Sequence, residues 1–290
     1  MKAHELKLEY LPPLHNTCVA FGAFDAMHLG HRQVLKTLFA AKKAGQTAVL
    51  ACIGMPTLIT HQQQTDLALA WGADLVLHLP TETQKLAPEE LVQGVLIERL
   101  DAQTIVAGEN CPIGTAHGGA LLSQLCRQRG INAQICPVVM ADGAPVSSYR
   151  VAQALASGTP QQAAVLLGRP YAIPGTVVHG KALGRTVGMP TANLSVSKQL
   201  VLPARGVYAT HVWWQGKRYG GLTNIGTRPS VDDSTKVTIE TLILDFDESL
   251  YGEDLILEPV AFLRPVQKFD SLIQVQAQVQ RDLEKARTIL

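Results

Sequence analysis

From Thr17 to about Val139, short apolar runs alternate with longer amphipathic segments. TCVAFG, TAVLACI, DLVLHL and TIVAG read as strands, and the stretches between them are long enough for crossover helices. That alternation predicts a parallel α/β sheet of the Rossmann-like kind. In HRQVLKTLFAAKKAG, residues Val34, Leu35, Leu38 and Ala41 share one helical face and Gly45 supplies the stop, so this segment is expected to be the first crossover helix. Past Gly168 the texture changes. GTVVHG, GVYATHVWW, KRYGGLTNI and KVTIETLILDF are β-prone runs divided at close intervals by Gly, Pro and Asp, which predicts an antiparallel β-barrel. The last segment, FDSLIQVQAQVQRDLEKARTIL, returns to helical spacing: Leu272, Val275, Val279, Leu283 and Ala286 form one stripe, with Asp270 or Ser271 as cap. A closing helix beside the barrel follows. Between the halves, VAQALASGTPQQAAVLLGRPY reads as one or two short helices ending at Gly168 and Pro170, which sets the expected domains at residues 1–168 and 169–290.

Composition narrows the class. A chain of 290 residues is long enough for two cores, and its 47% apolar and 17% charged residues describe globular domains and not a polyionic tail. With a formal net charge of +1 and no cluster of Lys and Arg, the chain offers no footprint for nucleic acid or an anionic membrane surface. MKAHELKLEYLPP is too charged for a signal-peptide core, and no apolar run approaches the roughly 20 residues of a membrane span. A cytoplasmic protein is expected, and a homo-oligomer is compatible with the sequence. Cys18, Cys52, Cys111, Cys126 and Cys136 are odd in number and lack metal-ligand spacing, as reduced buried thiols would.

The densest chemical signal is GTVVHGKALGRTVGMPTANL. Gly175, Gly180, Gly184 and Gly188 recur every four or five residues among His179, Lys181 and Arg185. Glycines at that density let backbone N–H groups approach a ligand, and with basic neighbours they suit a polyphosphate, although glycine-rich stretches also serve simply as tight turns. Just downstream, Thr191 and Asn193 are two residues apart, so an extended strand would turn both to one face. A hydroxyl and an amide carbonyl are suitable Mg²⁺ ligands; after Pro190 they are equally a turn cap. In the first half, VAFGAFDAMHLGH sets a strand, a tight turn and the pair His28 and His31 ahead of the first helix. A helix N-terminus binds phosphate, and two imidazoles there can stabilise a pentacovalent phosphorus. Two histidines three apart also fit a surface pair or metal ligands, but Gly22, Phe24, Asp25 and Gly30 around them favour a nucleotidyltransferase signature.

These segments resemble, over nearly the whole chain, the bacterial bifunctional riboflavin kinase/FMN adenylyltransferases, or FAD synthetases. The kinase-half resemblance runs through LGRPY, the glycine-rich segment with PTANL, PARGVYA, NIGTRPS, IETLILDFDESLYGEDL and FLRPVQKFDSL. It implies a C-terminal riboflavin kinase domain that moves the γ-phosphate of ATP onto riboflavin to give FMN. By it, the loop from Gly175 to Arg185 covers the ATP phosphates, Thr191 and Asn193 hold Mg²⁺, and Glu240 is the catalytic base. Glu240 is also the one carboxylate inside an apolar β run, where desolvation favours proton acceptance; a solvent-facing strand residue is the plainer alternative. Asn224 and Arg228 of NIGTRPS match the mobile loop near the flavin, and Arg264 with Phe269 falls in the region that closes over it.

The first half departs from that family where chemistry is expected. The Asn and Gly around Phe-Asp are here Ala23 and Ala26. Phe-Glu-Pro-His-Pro becomes Cys52-Ile53-Gly54-Met55-Pro56 followed by a shortened linker, and Gly-x-Asp-Phe-Arg-Phe-Gly becomes Gly108-Glu109-Asn110-Cys111-Pro112-Ile113-Gly114. Ser147, Ser148 and Arg150 remain, but Tyr149 replaces Thr and Ala152 replaces the second Arg. Each lost charged or hydrogen-bonding group costs a phosphoryl-transfer site about 10² to 10³ in rate. The expectation is therefore a riboflavin kinase carrying an adenylyltransferase-like domain of reduced activity. The alternatives are a fully competent FAD synthetase and a non-catalytic flavin- or nucleotide-binding regulator.

Overall fold

The computed structural model describes residues 13–114, 118–180, 190–229 and 235–290, with the side chains of Arg228, Pro229, Thr235 and Lys236 outside that description. It divides into two compact units, Met1–Ser148 and Tyr149–Leu290. The family of layered α/β folds anticipated for the first half is what forms: strands β1 (Thr17–Gly22), β2 (Thr47–Cys52), β3 (Leu75–His78), β4 (Ala102–Gly108) and β5 (Asn132–Cys136) make a parallel sheet in the order β3-β2-β1-β4-β5. All six residues of β1 are buried, because a central parallel strand is covered on both faces and reads as one apolar run. On one face Val19, Phe21, Val49 and Ile105 pack with Leu91, Val92, Val95 and Leu122. On the other, Cys18, Ala20 and Leu50 pack with Val34, Leu35 and Leu38 of α1 (Leu29–Ala41) and Ala68 of α2 (His61–Ala70). β5 carries a weak signal since it is an edge strand with only Cys136 buried. The remaining helices of this unit are α3 (Pro88–Glu90, continued by π-type turns over Leu91–Arg99) and α4 (Gly118–Gln128).

The linking segment forms α5 (Ser148–Ala156) and α6 (Pro160–Leu167). Gly168 caps α6 at φ +68°, a conformation that stops a helix and favours glycine. Beyond it β8 (Ile173–Val178), β9 (Ala192–Val196), β10 (Gly206–Trp214), β11 (Lys217–Pro229), β12 (Thr235–Ile243) and β13 (Asp254–Arg264) close into an antiparallel barrel in the order β10-β11-β12-β9-β8-β13; β6 (Met140–Ala141) and β7 (Ala144–Pro145) form a small separate hairpin in the first unit. Strand alternation splits the barrel residues into two sets. Val207, Ala209, Leu222 and Ala261 pack outward beneath α7 (Leu272–Ile289), meeting Val279, Leu283 and Ala286. Tyr208, Thr210, Thr223 and Thr241 alternate with them and fill the interior, where the Thr223 and Thr241 hydroxyls satisfy each other at 2.7 Å. Ser271 is the α7 cap, its Oγ accepting from the Gln274 amide. The expected stripe packs on the barrel from Val279 onward, whereas Leu272 is 60% exposed and stands outside that cluster. Among the described residues no helix is long and apolar enough to cross a membrane.

Candidate active sites

Antiparallel pairing lines up most of the barrel candidates. Val178 of β8 pairs with Asn193 of β9, Asn193 with Glu240 of β12, Glu240 with Asn224 of β11, Asn224 with Val207 of β10, and Val207 with Arg264 of β13. Residues directly opposite across antiparallel strands project to the same face. Glu240 lies two residues from Leu242 and Asn224 two from Leu222, so both belong to the outward, α7-bearing face; Ile239 and Thr241 on either side of Glu240 are buried. Glu240 itself is half-buried.

A cavity of about 410 Å³ is lined by Val177, Thr191, Thr241, Ile243, Phe246 and Tyr251 among others. Thr191, the residue before β9, opens onto it. His179 stacks on Tyr251 with ring centroids 4.0 Å apart at 22°. Gly175 is tightly enclosed: a Cβ there would lie 2.9 Å from Ser195 O and from Val196 Cγ1. Gly180 is pressed against the Asn193 amide, where a Cβ would come within 2.3 Å of Nδ2. Lys181, Gly184, Arg185 and Gly188 lie outside the described residues, and Arg228 is described by its backbone alone, pairing with Lys236. Arg264, at the end of β13, donates from Nε to Asp282 Oδ2 at 2.8 Å and sits 5.8 Å over the Phe269 ring.

In the first unit the candidates converge on the end of β1. Gly22 ends the strand, and a Cβ on it would meet the Phe24 ring at 3.1 Å. Phe24 and Met27 take positive φ values of 50° and 48°, so the turn is strained at two non-glycine residues. Gln64 of α2 braces it, its Nε2 donating to Ala23 O at 3.0 Å and Phe24 O at 2.9 Å. His28 is the α1 N-cap, with Nδ1 accepting from the His31 amide at 3.3 Å, and the two imidazoles stack 3.7 Å apart at 14°. Gly30 permits this, since a Cβ would lie 3.0 Å from His28 Cε1. Burial first, and His28 second, hold the His31 pKa well below the ordinary imidazole range. His31 Nδ1 finds no partner among the described residues. Asp25 accepts from Ser148 Oγ at 2.5 Å and Thr57 Oγ1 at 3.3 Å.

Phe24, Asp25, His28, Gly30 and His31 border a cavity of about 280 Å³ whose lining includes Ser147, Ser148 and the stretch Gly108 to Pro112. Its described lining contains Asp25 and Glu109 but no Lys or Arg. Ala23 borders it, whereas Ala26 is fully buried in the core. Arg150 stands half-buried in the first turn of α5. All five cysteines are free and buried, and burial pushes the thiols of Cys111 and Cys126 up to about 12 and about 11. Among the described residues no three His, Cys, Asp or Glu side chains gather as a metal site. Sequence patterns singled out neither Gln64 nor Asp282, which carry no local motif, and Tyr251 lay unremarked within IETLILDFDESLYGEDL.

A protein from Pseudomonas fluorescens described as a bifunctional riboflavin kinase/FMN adenylyltransferase is 32% identical over 301 residues, which cover 97% of this chain and 96% of the relative. This chain belongs to that family. Proteins of the same description from Listeria monocytogenes and Escherichia coli are 30% and 31% identical, covering 94% and 95% of the chain and 92% and 93% of their own lengths. The FAD synthetase family model matches residues 12–150 and the riboflavin kinase model matches residues 167–290. A solved Streptococcus pneumoniae structure described as a macrolide-efflux protein has the same fold, with a TM-score of 0.86, 27% identity and 96% of both chains covered. The chain thus carries both domains of a riboflavin kinase/FMN adenylyltransferase, and the barrel is its riboflavin kinase domain.

Proposed function

We propose that the barrel makes FMN from riboflavin and ATP with Glu240 as general base, and that the first unit is an FMN adenylyltransferase domain of diminished activity. The row Asn193, Glu240, Asn224 carries the first part. It sets a half-buried carboxylate in register with two carboxamides, on strands whose next residues, Ala192 and Thr241, line the cavity that Thr191 borders. Attack by the terminal ribityl hydroxyl oxygen forms a bond to the γ-phosphorus as the bond to the β–γ bridging oxygen breaks, and ADP leaves. Glu240 accepts the hydroxyl proton, and Asn224 orients the nucleophile.

The donor set fits Mg²⁺. Thr191 and Asn193 offer two neutral hard oxygens, few enough to leave room for the phosphate oxygens and waters that this ion retains, and the glycine at 180 keeps the Asn193 amide unobstructed. Thr191 and Asn193 would hold the ion, and when bound it would supply charge neutralisation for the phosphates. His179, stacked on Tyr251, forms a flat wall suited to a purine. Gly180, exposed just beyond β8, leaves its backbone open to the phosphates, and Lys181 and Arg185 are the basic residues of that segment suited to match their charge.

For the first unit, the reading rests on the cavity lining. His28, His31 and Gly30 retain the helix-terminus arrangement, yet Asp25 is occupied by Ser148 and Thr57, His31 is held neutral, and the described lining offers no cation to a triphosphate. Chromatography of the products from riboflavin, ATP and Mg²⁺ tests both parts. FMN with little FAD is expected; FAD formed as fast as FMN would mean a fully competent bifunctional enzyme, and neither product would mean a binding protein.

A further inference from the structure

The kinase reading gives no role to the most buried ion pair that, among the described residues, joins the barrel to its closing helix. Asp282 of α7 is 4% exposed, and both carboxylate oxygens are occupied: Oδ2 by Arg264 Nε at 2.8 Å and Oδ1 by Gln278 Nε2 at 2.9 Å. As an anchor alone this is a poor choice. Burying two charges costs several kcal/mol of desolvation, and an apolar pair of the same volume holds such a contact equally well. What an ion pair adds is orientation, since a planar guanidinium bonded along one edge has a fixed plane.

Position makes that orientation useful. Arg264 stands in register with Val207 and thereby with Asn224 and Glu240, at the end of the same row. The pairing of β10 with β13 shifts between Val207 and Tyr208, a bulge that re-aims the side chains next to it. Nε bonds Asp282, Nη1 donates to Pro265 O at 3.1 Å, and the group lies over the Phe269 ring. Among the described residues Nη2 donates to no acceptor.

We propose that Asp282 is a positioning residue for the kinase reaction: seated by Gln278, it fixes the Arg264 guanidinium so that Nη2 donates to a carbonyl or hydroxyl oxygen of riboflavin held along the Glu240 row. The proposal rests on the reading of that row as the flavin side of the site. An uncharged acceptor suits the geometry, because the pair's net charge is zero and no phosphate is needed to balance it.

Steady-state FMN formation by the full chain tests this. Asp282→Asn is expected to raise the riboflavin KM by about ten- to a hundredfold, the scale of a mispositioned binding group, with the ATP KM changed less than about twofold. The double variant Arg264→Met/Asp282→Leu separates positioning from adhesion. It is expected to melt near wild type while its riboflavin KM stays raised. Gln278→Met should move the riboflavin KM in the same direction by a smaller factor, and it carries the test if Asp282→Asn does not fold. The proposal is overturned if the double variant recovers the wild-type riboflavin KM, or if a folded Asp282→Asn or Gln278→Met variant leaves that KM unchanged or moves both KM values together. Glu240→Gln tells the two failures apart. If it retains full kcat, the row reading itself is wrong; if it is inactive while Asp282→Asn is normal, only the Asp282 assignment falls.

Discussion

Replacing Gly180 with alanine adds one methyl group and puts a sharp question to the kinase site. The new Cβ would lie 2.3, 2.5 and 2.6 Å from Nδ2, Cγ and Oδ1 of Asn193, where ordinary contacts begin at 3.4 Å. The amide must therefore retreat by about 1 Å. It is the free end of a side chain and can rotate, so the cost to folding is about 0.5–1.5 kcal/mol for an off-rotamer Asn193. The stiffer unfolded chain of a Gly→Ala variant offsets about 0.4–1 kcal/mol of that. Stability should hardly change. Catalysis should, because in the role proposed for Asn193 a displacement of about 1 Å costs on the order of 10² in rate. FMN formation would be measured across a Mg²⁺ titration, with a thermal melt of the same sample. A melting point within a few degrees of wild type, kcat/KM for ATP down about a hundredfold and a raised Mg²⁺ requirement are expected. Gly94→Ala is the control, since nothing lies within 4 Å of its added methyl; it should leave FMN formation untouched. Wild-type kinetics and Mg²⁺ dependence in folded Gly180→Ala would refute the assignment of Asn193.

Glu240→Gln keeps the shape of the row but removes the proton acceptor, so kcat for FMN formation should fall by about 10² to 10⁴ while the melting point is kept. With FMN, ATP and Mg²⁺ supplied, FAD should form at least about 10²-fold more slowly than FMN forms from riboflavin; comparable rates would discard the reading of the first unit. Gly30→Ala pushes on the His28 ring at 3.0 Å and breaks its cap on the His31 amide, costing about 1 kcal/mol, which a urea titration would detect as a lower midpoint. His78, bonded at Nε2 to Thr65 and set edge-on to His61 at 4.4 Å, is pushed down to about 4 by burial first and by His61 second. Its folded pKa lies below the unfolded one, so the unfolded state binds more protons under acid conditions, and stability present near neutrality is lost as pH falls from about 6.5 toward 4. His78→Val should flatten the acid limb of the melting-point profile, and an unchanged limb would contradict this.

Much of the fold was legible because it is local. The strands from TCVAFG to TIVAG, the α1 face of Val34, Leu35 and Leu38, and the Gly168 stop each follow from periodicity or from one residue's backbone preference. His28 and His31 were legible for the same reason, since three residues of helix suffice to stack them. Leu272 belonged to the right helical stripe yet is exposed, because periodicity defines a face without saying how far its partner extends.

The amino-acid order by itself determined which residues alternate toward water or core, where chains must turn, and which side chains have the chemistry suited to phosphate, metal or proton transfer. It could not determine which strands meet or at what register, since a two-residue period is unchanged by sliding one strand past another by two positions. Only the closed barrel decided that Asn193, Glu240, Asn224 and Arg264 share one row, although they are spread over β9 to β13. Only its packing against the last helix brought Asp282 and Gln278 to Arg264, contacts that depend on distances in space that no local pattern encodes.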